Sequence, residues 1–308
     1  MIISASRRTD IPAYYAEWFM NRLKEGFALV PNPFNSGQIS RVALSPSVVD
    51  CIVFWTKNPR PMLPNLREIE NMGYPFYFQF SLLPYGRDIE PNLPPQKERV
   101  ETLRLLSAAI GPARVVWRYD PVIIDALHTV DWHLAQFQEM CSALKGLVNR
   151  CIISFVDTYR HGRFDEPAEA DMRAVAKGFA AIAAPHGLPL YTCAEAIDLQ
   201  AYGIGHASCI DKAMIEQTVG MALAVPRDKN QRPHCQCVES VDMGVYNTCA
   251  NGCRYCYATK SAARAAERAE SHDPLAPMLT GWPKGHEAIT DREMVLRRTA
   301  QIGLSYRK

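Results

Sequence analysis

Cys51-Ile52-Val53-Phe54-Trp55 runs without interruption into Thr56-Lys57-Asn58-Pro59, and a helical pattern follows at about 62–72. A continuous rather than alternating apolar run is what a strand buried on both faces requires, as in a parallel sheet covered by helices. The same unit recurs in both directions along the chain. Ile2-Ile3-Ser4-Ala5, Phe76-Tyr77-Phe78-Gln79-Phe80, Val115-Val116-Trp117, Cys151-Ile152-Ile153-Ser154-Phe155 and Leu188-Pro189-Leu190-Tyr191 are the other strand candidates. Helical patterns lie at about 13–25, 97–109, 132–147 and 169–184, with Pro94-Pro95 and Asp131 placed as helix starts favour. Six βα units in series predict an α/β fold, a complete or partial TIM-like (β/α) barrel of six strands, in preference to a doubly wound sheet. The stretch 27–45, with Pro31-Asn32-Pro33-Phe34-Asn35-Ser36-Gly37 as turn chemistry, reads as a hairpin inserted before the second strand.

In a barrel the functional groups gather at the C-terminal strand ends. Here those ends are polar: Ser6-Arg7-Arg8-Thr9-Asp10, Thr56-Lys57-Asn58, Ser81, Arg118-Tyr119-Asp120-Pro121, Asp157 and Cys193-Ala194-Glu195. Any one of them is explained by helix capping and loop bonding. Together they predict a mixed-charge ring of Arg7, Arg8, Asp10, Lys57, Arg118, Asp157 and Glu195, suited to a small polar ligand that carries both charges.

Composition narrows the classes. With 48% hydrophobic and 21% charged residues the 308-residue chain has the balance of a protein with a sizeable core. Lys and Arg total 34 against 32 Asp and Glu, so no basic footprint for nucleic acid stands out. No run approaches the roughly 18 apolar residues of a membrane span, and Met1-Ile2-Ile3-Ser4-Ala5 leads into Arg7-Arg8 rather than a signal peptide's apolar region, so the expected location is cytoplasmic and no membrane partner is expected. Neither a phosphate-cradling G-x-x-x-x-G-K-[ST], a G-x-G-x-x-G nor an H-E-x-x-H occurs. The scattered histidines, His161 and His206 among them, read as loop imidazoles.

Ten cysteines in a chain of this kind point to metal or redox chemistry rather than to a disulfide framework. Five of the ten fall between Cys235 and Cys256, with Cys193 and Cys209 just upstream, whereas Cys51, Cys141 and Cys151 lie in strand or helix patterns and read as small buried hydrophobes. The sharpest motif is Asn247-Thr248-Cys249-Ala250-Asn251-Gly252-Cys253-Arg254-Tyr255-Cys256-Tyr257-Ala258, a C-x3-C-x2-C arrangement with Tyr255 before its last Cys. Three thiolates at this spacing can wrap one edge of a [4Fe–4S] cluster, Gly252 permitting the tight loop, and they leave one iron open. An open coordination position on a metal centre is the mark of chemistry rather than of scaffolding.

This motif resembles that of the radical S-adenosylmethionine enzymes. Segments such as Phe54-Trp55-Thr56-Lys57-Asn58-Pro59, Ser81, Glu90-Pro91-Asn92, Glu98-Arg99 and Arg118-Tyr119-Asp120-Pro121 are similar, over about half the chain, to those of the spore photoproduct lyase-like branch. The whole chain also resembles a bacterial family of unknown function that ends in such a Cys-rich segment. The resemblance implies that Cys249, Cys253 and Cys256 ligate the cluster, that S-adenosyl-L-methionine chelates its open iron with Tyr255 near the adenine, and that a 5′-deoxyadenosyl radical abstracts hydrogen from a substrate. It makes Lys57, Asn58 and Ser81 candidate cofactor contacts and Arg118, Asp157 and Glu195 candidate catalytic groups, with an electron donor such as flavodoxin or ferredoxin as partner. Two departures stand out. No Gly-Gly-Glu segment for the cofactor's amino group is present, and the motif follows the last expected strand, whereas the superfamily carries it after the first.

The expected architecture is therefore a barrel over 1–228 with a C-terminal iron–sulfur segment and tail, 229–308, folded back across its mouth. Cys193, Cys209, Cys235 and Cys237 admit three arrangements. They could hold a second cluster; Cys235 or Cys237 could instead close the first as a structural or electron-transfer site; or the thiolates could bind zinc.

Overall fold

The computed structural model describes residues 1–158, 163–232 and 234–301. Its centre is a parallel sheet of eight strands: β1 (Ile2–Ala5), β2 (Cys51–Thr56), β3 (Phe76–Ser81), β4 (Val115–Val122), β5 (Arg150–Phe155), β6 (Leu190–Cys193), β7 (Gly205–Ala207) and β8 (Val241–Asp242). The spatial order is β8-β1-β2-β3-β4-β5-β6-β7, every neighbouring pair parallel. The six expected strands are all present. The two additional ones, β7 and β8, are too short for an apolar run to announce them.

Helices α1 (Ala16–Glu25), α2 (Leu66–Asn71), α3 (Gln96–Ile110), α4 (Val130–Ala143) and α5 (Glu169–Ala183) all bury residues in one core against the same face of the sheet, which presents Ile3, Phe54, Phe78 and Trp117 to them. Thr129 caps α4, its hydroxyl accepting from the Trp132 amide, while Asp131 sits in the first turn, where a carboxylate suits the helix dipole. With β1 to β7 in sequential order and the helices on one face, the sheet winds in a single direction; a doubly wound sheet would reverse its order part-way. Among the described residues no pairing joins β7 to β8, so the sheet is open in its hydrogen bonding.

The opposite face forms a second, smaller core. Ile2, Val53, Tyr77, Val116 and Ile152 meet Ile210, Met214 and Ile215, the last two from α6 (Lys212–Val219). The Tyr77 hydroxyl and the Gln79 amide both donate to the Cys209 carbonyl, at 3.2 and 2.8 Å, and so fasten the segment entering α6 to the strands. Alternation along β4 sends Trp117 to the helix side and Val116 to this inner side.

The hairpin expected at 27–45 is formed by Phe27–Asn32 and Asn35–Ala43. The segment after residue 228 is not a separate layer, because β8 completes the large sheet beside β1. The tail from Asp273 runs along α1, the hairpin and Met221–Leu223. Trp18, Asn21 and Arg22 of α1 donate to its carbonyls, Ala288–Asp291 pairs with the hairpin, and Arg298–Gln301 pairs with Met221–Leu223. Cys51, Cys141 and Cys151 are buried, and burial pushes all three thiols up, Cys141 to about 12, as expected of inert core cysteines.

Candidate functional site: a cysteine-lined cavity at the strand ends

The polar strand ends surround a cavity of about 460 Å³. Arg7, Lys57, Ser81, Arg118 and Asp157 line it from the strand side, and Cys249, Cys253, Cys256 and Tyr255 close it from the cysteine loop. The loop arrives there because it follows β8, and β8 lies beside β1, so the loop emerges over the C-terminal end of β1.

Three sets of contacts dock it. Asp10, buried just after β1, accepts from the Lys57 amide at 2.7 Å and the Asn251 side chain at 3.1 Å, joining the loop after β2 to the cysteine loop. Thr9 and Thr248 share a hydrogen bond of 2.6 Å, and the Tyr15 hydroxyl donates to the Thr248 carbonyl at 2.6 Å. From the loop after β3, Asn92 donates to the Ala250 carbonyl at 2.8 Å, and the Ile89 carbonyl accepts from the Arg254 amide at 3.0 Å. Gly252 has φ +69°, and a Cβ on it would stand 3.0 Å from Asn92 Nδ2. Only glycine takes this left-handed turn at no cost.

Tyr255 is held by its hydroxyl, which donates to Glu90 at 2.5 Å, while the Lys57 ammonium stands 5.3 Å from its ring centre. Glu90 is buried between Lys57 at 2.8 Å and Arg99 at 3.1 Å. Burial alone would lower the Lys57 ammonium, but the Glu90 carboxylate and Cys253 hold it above its ordinary value. Burial pushes the Cys249 thiol up to about 12, with Asp10 adding to the shift, and raises the Cys253 thiol well above its ordinary value too. Thiols in so unfavourable a place for free thiolates give up their protons when a metal compensates the charge.

On the β4 side Arg118 forms a salt bridge with Asp120, which also accepts from Ser154, and Arg118 stacks 5.2 Å from the Trp55 ring. Burial would raise the Asp120 carboxyl, but Arg118 and Ser154 keep it below its usual range. The Trp55 indole N–H, on a residue that lines the cavity, is buried and finds no partner among the described residues. Asp157 pairs with Arg232 at 2.5 Å.

Of the residues singled out in the sequence, the mixed-charge ring assembles except at Glu195. Its carboxylate accepts from the Phe155 amide at 3.0 Å rather than lining the cavity, and burial, with Asp120 and Asp157 nearby, raises it to about 7. Asn58 also turns away, accepting from the Arg60 amide at 3.4 Å as it starts a 3₁₀ turn. Cys193 and Cys209 line the cavity but are joined to each other as a disulfide, against the expectation of free thiols. Apposed strand ends of β6 and β7 bring them together, a proximity their sequence separation of 16 hides. Cys235 lines the cavity and Cys237 lies behind it. His206 pairs with the Thr192 hydroxyl at 2.8 Å, and His161 lies outside the described residues.

Cys249, Cys253 and Cys256 face the cavity from the loop, whereas Cys193, Cys209, Cys235 and Cys237 belong to the smaller core on the inner side of the sheet. The sulfurs thus fall into two groups around one cavity. Among the described residues no three His, Cys, Asp or Glu side chains converge on one point as ligands of a single metal ion.

Asp10, Glu90 and Trp55 carry more of the site than sequence spacing shows. Asp10 reads as an ordinary helix cap, which it also is, accepting from the Ala13 amide at 3.1 Å.

A family profile described as a domain of unknown function (DUF1848) matches residues 2–258. The chain belongs to that family. The match ends at Ala258, so it spans the large sheet and the whole cysteine motif, and the family's shared region includes every group of the cavity named above. No curated protein matches the chain. Among the described residues no helix is long and apolar enough to cross a membrane.

Proposed function

We propose that the chain is a radical S-adenosylmethionine enzyme, built as a partial (β/α) barrel whose cysteine loop holds a [4Fe–4S] cluster at Cys249, Cys253 and Cys256. The observation that carries this reading is the position of the loop. In spatial order β8 is the first strand of the sheet, so the C-x3-C-x2-C motif follows the first strand in space although it follows the last in sequence. The displacement that sets the chain apart from the superfamily is one of connectivity.

A second observation supports it. Lys57, Glu90, Asn92 and Arg99, from the segments similar to the lyase-like branch, converge beneath the cysteine loop and fasten Tyr255 and Ala250.

A cluster held by Cys249, Cys253 and Cys256 would keep one iron open for S-adenosylmethionine and, with one electron from a donor such as flavodoxin or ferredoxin, would supply reductive cleavage of the cofactor's sulfonium, releasing methionine and providing for hydrogen-atom abstraction from substrate. The chain's own groups then have separable tasks. Glu90 fixes the Tyr255 ring at the cavity wall, where an adenine can stack on it. Arg7 and Arg118 offer guanidinium groups to the cofactor's carboxylate. Ser81 and the buried Trp55 N–H supply further polar contacts, and Asp157 supplies an acidic one for the cofactor's amino group in place of a Gly-Gly-Glu segment.

The test is anaerobic reconstitution followed by low-temperature EPR of the dithionite-reduced protein with and without S-adenosylmethionine. The expected result is a spectrum that shifts on adding the cofactor, with 5′-deoxyadenosine formed and both effects lost in Cys253→Ala. An unchanged spectrum without deoxyadenosine overturns the reading.

A further inference from the structure

Four cysteines lie outside the motif yet in one place. Cys193 ends β6, Cys209 follows β7 by two residues, and Cys235 and Cys237 belong to the stretch that returns before β8. All four are buried in the smaller core with Val53, Ile152, Ile210 and Met214. Cys193 and Cys209 are bonded, with Cα atoms 6.6 Å apart, and Cys235 and Cys237 are separated by a single residue and buried in the same core. One peptide unit links the pairs, since the Ile210 amide, next in the chain to Cys209, donates to Cys237 Sγ at 3.3 Å.

Donors and cations face these sulfurs. Besides the Ile210 amide, Arg118 Nη1 donates to Cys209 Sγ at 3.3 Å, and Arg7 and Arg232 line the cavity together with Cys235. Arg227 donates twice to the Cys235 carbonyl, at 3.0 and 2.6 Å, which fixes the pair's backbone. A cluster with four thiolate ligands carries net negative charge, and N–H groups aimed at its sulfurs are what tune and stabilise it.

We propose that Cys193, Cys209, Cys235 and Cys237 ligate a second [4Fe–4S] cluster, fully coordinated by the protein, at the β6–β7 end of the cavity. With no open iron it binds no substrate and serves to hold and pass electrons beside the cysteine loop. Loading it first reduces the Cys193–Cys209 disulfide. Two electrons and two protons from a dithiol reductant give two thiols, and all four thiols then release their protons on ligation. The proposal does not depend on whether the cysteine loop binds S-adenosylmethionine.

The experiment is reconstitution of the full chain under anaerobic conditions with iron, sulfide and dithiothreitol, with iron, sulfide and zinc counted per chain. The wild type is expected to hold about eight irons, and Cys249→Ala/Cys253→Ala/Cys256→Ala and Cys235→Ser/Cys237→Ser about four each, by cluster stoichiometry. The triple variant should keep a reducible cluster whose EPR spectrum is indifferent to S-adenosylmethionine. About four irons in the wild type, wild-type iron in the Cys235/Cys237 variant, or zinc in place of the second set of irons overturns the proposal. The wild-type count requires no substitution and so survives a variant that fails to fold. Eight irons without a cofactor response would leave this proposal standing and remove the catalytic one; four irons with a response would do the reverse.

Discussion

The two faces of the large sheet are built from the same strands and do opposite work. On the helix side Phe54 stacks on Phe78 at 4.7 Å, Trp117 on Phe137 at 5.2 Å, and Phe137 on Phe179 at 3.9 Å, two aromatic stacks within one core. Around the mouth on the inner side stand Arg118, Asp120, Ser154 and four pairable sulfurs. Burying aromatic area stabilises the fold, whereas buried charges cost free energy that only partners or a ligand offset. The difference assigns stability to one face and chemistry to the other, and substitutions can separate them.

The largest effect is expected from Trp117→Ala. It removes a fully buried ring and the bond from its indole to the Leu82 carbonyl, for a loss of about 3–5 kcal/mol in denaturant unfolding. Iron per folded chain should stay unchanged. A fall in iron with stability would show that the two faces are not separable.

Next is the pH dependence of the helix side. His133 on α4 is buried, bonds the Tyr119 hydroxyl and the Ile123 carbonyl, each at 2.8 Å, and burial lowers it from 6.5 to about 4. On acidification the unfolded chain binds the proton first. Its contribution is therefore complete above pH 6.5 and is lost as pH falls towards 4, by at most about 3 kcal/mol. Unfolding measured across that window should show the slope in the wild type and not in His133→Phe. A wild-type slope that persists in the variant would assign it elsewhere.

Asp10→Ala tests the mouth. It leaves the Lys57 and Ala13 amides and the Asn251 side chain without their acceptor, a cost of about 1–3 kcal/mol, and it should release the cysteine loop. Iron bound after reconstitution should drop by about half if two clusters are present, and to near zero if the loop holds the only one. Full iron retention would show that Asp10 does not hold the loop.

The smallest effect is expected from Gly252→Ala, about 1–2 kcal/mol from the positive φ and the pressure on Asn92. Its sharper readout is a weakened iron site with unaltered aromatic stacks, measured as iron content against near-ultraviolet circular dichroism.

The six longer strands, the helices and the hairpin are local matters. A run such as Cys51–Thr56 carries its burial in its own residues, and the pattern 97–109 carries its helix, so both are readable in order along the chain. The mouth residues Arg118 and Ser81 were readable for the same reason, since the end of an apolar run marks the end of a strand. Asn58 and Glu195 misled because a polar residue at a strand end can turn to cap or bond backbone as easily as face a ligand, and only its neighbours decide.

The amino-acid sequence alone determined the parallel α/β class and the three-cysteine loop, because strand burial and ligand spacing are encoded within a few residues of one another. The tertiary structure alone decided that this loop stands over β1, that Asp10 grips Asn251, and that Cys193, Cys209, Cys235 and Cys237 meet. Each of these depends on β8 finding β1 or on β7 finding β6. Strands of two and three residues carry too little pattern to specify a partner, and their register is set by the packing of the sheet to which they are added.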